Sequence, residues 1–365
     1  MMSFHKDTAL PVLQRITEIW QIDPARQRWL PTDSSNVVGF DWWPGDFSVG
    51  VRAIPPPQGA DHDGFKLLVR TDFLKDVAIT SERFELMTAD LSRFSTSCYA
   101  WIYPPKALWD QFPSSGSAPT LWLSGSAYIN SSNMGWMTEF IANTSIIQPI
   151  NAQIQSASMS KMLGSGAPDK SKPYPDAVTH LDDILEVVAQ VYAPLGKQPS
   201  RFANTGEFEE FSSKYAQCDV CFGHGDPSGM TLETPFGKDS ALIRFHTSEQ
   251  HPQLGHGLLV TLQLPWFGKK IVMAREIAEL NLLEYLNWTG FPQLGCWHNS
   301  ESQAGQDGIA FTFFVPNALH KPGLVTQIAF WFIERARWVR QQKFPDMQDS
   351  TMAEILEERF GTLKK

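Results

Sequence analysis

No apolar stretch of this chain approaches the roughly 20 residues that a membrane-spanning helix needs. The opening "MMSFHKDTAL" has no apolar segment resembling a secretory signal. Cysteine is scarce: Cys98, Cys218, Cys221 and Cys296 are the only four in 365 residues, too few for a disulfide framework and in keeping with a reducing compartment. Basic charge is short as well, with 30 Lys and Arg against 39 Asp and Glu and a formal net charge of -9. Such a balance repels phosphate backbones and leaves no broad cationic face. These shortages argue against a membrane or nucleic-acid partner and lead to the expectation of a cytoplasmic protein.

Apolar and aromatic side chains are plentiful: 42% of the chain is hydrophobic, with 13 Trp and 24 Phe. That is enough to bury a sizeable core, and the length favours about two domains. Two stretches suggest how those domains arise. "GWMTEF" at Gly135 to Phe140 and "GLVTQI" at Gly323 to Ile328 are separated by an advance of 188, which carries Thr138 onto Thr326, Glu139 onto Gln327 and Phe140 onto Ile328. Upstream, "GFKLLV" from Gly64 matches "GHGLLV" from Gly255 with an advance of 191, and "WWPGDFSVGVR" from Trp42 matches "PFGKDSALIRF" from Pro235 with an advance of 193. Three matches in order at nearly constant offset indicate a repeat.

Hydrophobic periodicity gives both halves one order of elements. Val12, Leu13, Ile16, Ile19 and Trp20 fall at helical spacing, with Thr8 as a candidate cap and Asp23-Pro24 as the stop. "NVVGFDWW", "FSVGVRAI" and "FKLLVRTDFL" read as a meander of strands; Phe84, Met87, Leu91 and Phe94 mark a helix; "CYAWIY" and "TLWLSGSAYI" are two more strands; and a helix begins near Trp136. Pro149 is expected to kink or end that last helix. The second half repeats the order from "HLDDILEVVAQVY", through strands near "MTLET", "ALIRFHT" and "LLVTLQL", a helix over Val272 to Leu286, and strands at "LGCWH" and "IAFTFFV", to a helix from Leu324. The predicted fold is therefore α+β: two repeated units, each an antiparallel sheet covered by helices in the order α-β-β-β-α-β-β-α, forming a pseudo-dimer. The expected boundaries are 1–163 for the first repeat, 164–177 for a Gly-, Ser- and Pro-rich linker within "LGSGAPDKSKPYPDA", 178–345 for the second repeat, and 346–365 for a C-terminal helical tail.

This order, with an apolar strand and turn leading into "GWMTEF" or "GLVTQI", resembles the type III secretion chaperones and the bacterial sensory transduction regulator family related to them. The resemblance implies binding of polypeptide segments rather than catalysis, by a unit that usually works as a dimer. A fused tandem copy departs from that pattern, with the two halves standing in for two subunits. The family lacks a catalytic motif to carry over, so no site residue is inherited.

Read independently of that resemblance, the residues offer a short list of chemistry. "CDVCFGH" sets Cys218, Cys221 and His224 at a spacing that can hold two or three corners of a zinc tetrahedron, with Cys296 or His298 as a fourth. Zinc is thus the one cofactor candidate; the competing reading places both cysteines in or beside a core, and the expectation is no cofactor. "LGSGAPD" lacks the Lys of a phosphate loop, and "LSGSAY" is not a nucleophile elbow. His246, His251 and His256 are expected to be solvated. Trp42, Trp43, Trp101 and Tyr103 concentrate in the first half and could line an aromatic cleft for a sugar or metabolite, against a reading as packed sheet core.

Along the last helix, Val325, Ile328, Ala329, Phe332, Ala336 and Val339 form the core stripe, whereas Trp331 and Trp338 lie on the order of 100 degrees or more from its centre. With Arg335 between them they make a candidate partner surface, or an internal pseudo-dimer interface. The sequence therefore points to a non-catalytic, chaperone-like or regulatory protein-binding module with a protein or peptide partner, either a monomer with an internal pseudo-dimer or a homodimer. Small-ligand binding in the aromatic cleft and zinc-dependent function are the alternatives.

Overall fold

The computed structural model describes residues 2–30, 37–56, 64–75, 100–102, 121–163, 167–168, 181–265, 270–301, 307–347 and 350–360. In chain order the elements are α1 (Met2–Ile19), β1 (Gln27–Trp29), β2 (Val38–Trp42), β3 (Val49–Ile54), β4 (Phe65–Lys75), β5 (Ala100–Ile102), β6 (Leu121–Ile129) and α2 (Met134–Leu163). There follow β7 (Ala167–Pro168), α3 (Leu181–Gly196), α4 (Glu207–Lys214), β8 (Gln217–Cys218), β9 (Cys221–Asp226), β10 (Gly229–Phe236) and β11 (Asp239–His246). The chain then forms β12 (Gln250–His251), β13 (Gly255–Leu264), α5 (Lys270–Leu286), β14 (Cys296–Glu301), β15 (Asp307–Pro316), α6 (Leu324–Lys343) and α7 (Met352–Phe360). The fold is α+β with antiparallel sheets. The helix expected at Phe84 to Phe94 lies outside the described residues.

Two compact units emerge, and neither is one continuous segment: 278–296 belongs with the N-terminal unit, unit 1, while 191–277 and 297–365 belong to unit 2. The dividing points fall inside α3, α5 and β14, so the compact units do not coincide with 1–163 and 178–345. Part of the expected linker is also structured, since Ala167 and Pro168 pair with Lys75 and Leu74 of β4.

In unit 1 the sheet runs β1-β2-β3-β4-β6-β5, with β7 added on β4. Strand alternation sends Phe40, Val49, Val51, Leu67, Val69, Phe73, Leu123 and Ala127 to one buried face. There α2 covers β3, β4 and β6, and α1 packs on α2 and β2. The predicted α1 stripe is buried at Val12, Leu13, Ile16 and Trp20, and the Trp20 indole donates to the Ala142 carbonyl at 2.8 Å. This helix begins well before Thr8 and tolerates Pro11. Likewise α2 does not end at Pro149 but continues through it to Leu163. Every residue from Phe140 to Ala152 is buried, so packing on all sides offsets the single amide donor that proline removes.

In unit 2 the sheet runs β14-β15-β13-β11-β10-β9-β8, with β12 on β13. The α6 stripe predicted from the sequence is buried throughout. Gly323 caps this helix in the left-handed region at φ 82°, a conformation glycine adopts without a side-chain penalty. Gly135, its counterpart by sequence, lies inside the first turn of α2. Sequence reading missed α4, β8 and β9: the helix is only eight residues long, and "CFGHGD" has little strand propensity.

The two sheets share a strand path, β2-β3-β4-β6-β5 in one and β10-β11-β13-β15-β14 in the other. Register agrees in detail. Leu67 faces Ala127 and Leu258 faces Val315, which reproduces the advances of 191 and 188. The third advance needs correcting. Val51 faces Val69 and Phe245 faces Val260, so β3 maps onto β11 with an advance of 194, not 193. A one-residue slip would set buried Val51 on half-buried Arg244 and turn the strand inside out.

Candidate functional site

The chemistry that stands out in unit 1 is on the sheet face opposite α2. Lys66 lies on β4, across from Tyr128 of β6 and Ile54 of β3. Its Nζ donates to the main-chain oxygens of Glu284 at 3.3 Å, Tyr285 at 2.6 Å and Asn287 at 2.5 Å. Because α5 ends at Leu286, these carbonyls belong to its last turn and the residue beyond, where a helix turns to donors outside its own ladder. A cation there also meets the negative end of the helix. Burial draws Lys66 down to about 7, opposed by the Glu284 carboxylate.

A lysine lowered toward neutrality is what a nucleophilic amine requires. Lys66 does not present one, however: its three donor directions all end on main chain, and the residue is 3% exposed. The arrangement fastens a helix end to a strand. Beside it, Trp122, Leu282 and Tyr285 form a buried cluster with Leu68 and Leu286 packed against it. The Arg70 guanidinium lies 4.1 Å from the Trp122 ring and pairs with Asp72 at 2.5 Å. Asp41 joins Arg28 at 3.0 Å and also pairs with Arg52. Burial pushes the Tyr285 phenol up to about 12, with Arg70 opposing. Sequence reading missed this site, although a lone lysine inside "GFKLLV" was its signal; the matched position in "GHGLLV" is Gly257.

The residues proposed for an aromatic cleft are dispersed or packed. Trp42 is 5% and Trp43 8% exposed, and the Arg28 guanidinium lies 5.6 Å from the Trp43 ring. Trp101 sits in β5 opposite Leu123, and Tyr103 lies outside the described residues.

Nor do the described side chains of the zinc candidates converge. Cys218 and Cys221 face each other across the β8-β9 turn, but Cys221 is buried and its Sγ donates to the Tyr215 carbonyl at 3.1 Å. His224, three residues on, is exposed, because alternation along β9 sends it to the other face. His298 is engaged as well: Nδ1 contacts the Asn299 carbonyl at 2.7 Å, so it carries the proton, and Nε2 accepts from the Thr312 hydroxyl at 2.5 Å. Among the described residues no three His, Cys, Asp or Glu side chains are placed to hold a metal ion. His251, expected in solvent, is 4% exposed, and its Nδ1 accepts from the amides of Gln253 and Leu254.

An open aromatic surface does exist, on unit 2. Tyr215, which ends α4, has its ring 5.2 Å from Phe211 and 5.5 Å from Phe330 of α6, and Phe330 lies 5.6 Å from Phe211. Phe211 is fully buried, whereas Tyr215 is 40% and Phe330 37% exposed. Two helices thus hold two rings at the surface over a third that fixes them. Trp331 and Arg335, read from their spacing as a partner surface or an internal pseudo-dimer interface, are buried, and Trp338 is half-buried. The Arg335 guanidinium stacks 3.8 Å from the Phe311 ring and 5.3 Å from Phe332.

Among the described residues no helix is long and apolar enough to cross a membrane. No protein-family model, curated protein or solved structure matches the chain.

Proposed function

We propose that the chain is a non-catalytic polypeptide-binding module, built as a tandem duplication in which two α+β repeats stand in for the subunits of a dimer. The matched strand path and register support the duplication. The observation that carries the binding reading is the ring pair Tyr215 and Phe330, held open over buried Phe211. Exposed rings on a rigid base bury a large area at little cost in side-chain entropy, which is why aromatic residues recur as anchors at interfaces. The partner is a polypeptide segment with an apolar anchor, and the net charge of -9 favours cationic residues beside it.

The test compares purified wild type with the double variant Tyr215→Ser, Phe330→Ser as baits in a lysate of the native host, after circular dichroism has shown both to be folded. A polypeptide retained by wild type and lost from the variant supports the reading. No retained polypeptide, or equal retention by both baits, overturns it.

A further inference from the structure

Where α2 lies on its sheet in unit 1, the contact is polar at positions that unit 2 fills with apolar side chains. The shared register identifies the pairs. Thr71 faces Leu123 as Leu262 faces Phe311, and Gly125 faces Val69 as Phe313 faces Val260. Along the helices the advance of 188 sets Thr144 against Phe332 and Gln148 against Ala336. All eight residues are buried. Unit 2 thus closes this contact with Leu, two Phe and Ala, and unit 1 has Thr, Gly, Thr and Gln in their places.

Gly125 is what lets the helix approach. A Cβ there would stand 2.8 Å from Thr144 Cγ2, 3.3 Å from the Gln293 carbonyl oxygen and 3.6 Å from Gln148 Nε2. The Gln148 amide therefore lies directly over the bare strand, beside the Gln293 main chain. Thr144 satisfies its hydroxyl within the helix, donating to the Phe140 carbonyl at 3.1 Å. Gln148 does not: its Nε2 and Oε1 and the Thr71 Oγ1 have no hydrogen-bond partner among the described residues, although both side chains are 0% exposed. Thr71 stands on the same face of the sheet one pair along from Gly125, a diagonal of about 7–8 Å.

A dry carboxamide with neither end paired is among the costliest neutral groups to bury, and native proteins meet such groups with an ordered guest. We infer that Gln148 and Thr71 form an internal binding site in unit 1 for a neutral, hydrogen-bonding guest of a few heavy atoms. The carboxamide supplies two donors and an acceptor, and the hydroxyl supplies one donor and an acceptor. The Gln293 carbonyl, which already accepts from Ser126 N at 2.9 Å, has a second lone pair. These groups are all neutral, which selects a neutral guest. The closeness of Thr144 to Gly125 keeps the guest small, with water at the lower limit and a small alcohol or amide above it.

A crystal structure of the full chain at a resolution that orders buried water tests the site directly, and native mass spectrometry of the same preparation identifies the guest. Density bridging the Gln148 carboxamide and the Thr71 hydroxyl is expected. An intact mass equal to that of the sequence makes the guest water, and a heavier one makes it an organic molecule. Gln148→Met and the near-isosteric Thr71→Val should each lower the melting midpoint by a few degrees, because each removes a ligand of the guest. An empty site in the density, or a midpoint raised by either substitution as loss of a dry polar group would do, overturns the inference.

Discussion

Unit 1 and unit 2 share one strand path and register and solve the packing of a helix on a sheet in different ways. Unit 2 uses rings: Phe311 stacks edge-on with Phe332 at 5.7 Å and with Trp297 at 5.3 Å, and Arg335 lies over Phe311. In unit 1 Trp122 and Tyr285 pack on the other face, where Lys66 holds the end of α5, and Thr71, Gly125, Thr144 and Gln148 stand among the apolar residues where α2 meets the sheet. The difference teaches that one hydrogen-bonded register, set by main chain, can carry very different side chains. Volume and polarity can then differ between the two, provided each buried polar group finds a partner.

The comparison breaks most readily at the matched pair Phe332 and Thr144. Phe332→Ala should cost about 3–5 kcal/mol, since it empties a ring-sized space in a packed core, whereas Thr144→Ala should cost about 1 kcal/mol or less. Urea unfolding followed by hydrogen exchange in each unit reads both values, and equal costs would mean that the two cores are not built differently.

Next in size is Lys66, whose counterpart Gly257 has no side chain to offer. Lys66→Met leaves three helix-end carbonyls without their donor and should destabilise unit 1 by about 1–3 kcal/mol at neutral pH. Its pH dependence has a definite sign. Folded Lys66 releases its proton at about 7, while the unfolded chain holds it to the ordinary value of 10.5. Between those limits the unfolded state carries more protons, so stability rises with pH, by at most about 1.4 kcal/mol per unit. Urea midpoints from pH 7 to 10 should show that rise in wild type and lack it in Lys66→Met.

A smaller effect is expected at Glu207, which caps α6 of unit 2 by accepting from Val325 N at 3.3 Å; α2 of unit 1 has no acidic residue in its first turn. Glu207→Ala should cost about 1 kcal/mol, visible as early exchange of the first α6 amides. The smallest effect is spectroscopic. With its phenol pushed up to about 12, Tyr285 should remain un-ionised in an absorbance titration through pH 11, and Tyr285→Phe should leave the curve below that pH unchanged.

Periodic elements were legible because their signal is local. The α6 stripe follows from three-and-four spacing alone, and the strands of both meanders lie where their Val, Phe and Trp alternate. Legibility failed where an element depends on a neighbour. β9 holds two glycines at Gly223 and Gly225 and forms a strand because α4 packs against it; a Cβ on Gly225 would stand 2.4 Å from the Phe208 carbonyl oxygen. The slipped third match has a similar cause. The β2-β3 connection spans 43–48, while β10 and β11 join through Gly237 and Lys238, so similar letters near these loops do not occupy similar places. The open ring pair was missed because Tyr215 and Phe330 are far apart in the chain, and Trp331 with Arg335 was left between a partner surface and an internal interface because a helical wheel shows one stripe and not what covers the remaining faces.

By itself the sequence determined the mixed α+β class, the order of most elements, the core stripe of α6, and two offsets, 188 and 191, that the strand registers reproduce. Those properties depend on residue spacing along one chain, at periods of 2 and 3.6. Only the tertiary structure decided that Lys66 closes the end of α5, that 278–296 belongs with unit 1, that Cys221 and His224 point to opposite faces, and that Gln148 lies over Gly125. Each of these depends on distances between segments up to 221 residues apart, where the energy gained by a contact is set by burial and hydrogen bonding in three dimensions and leaves no period in the sequence to read.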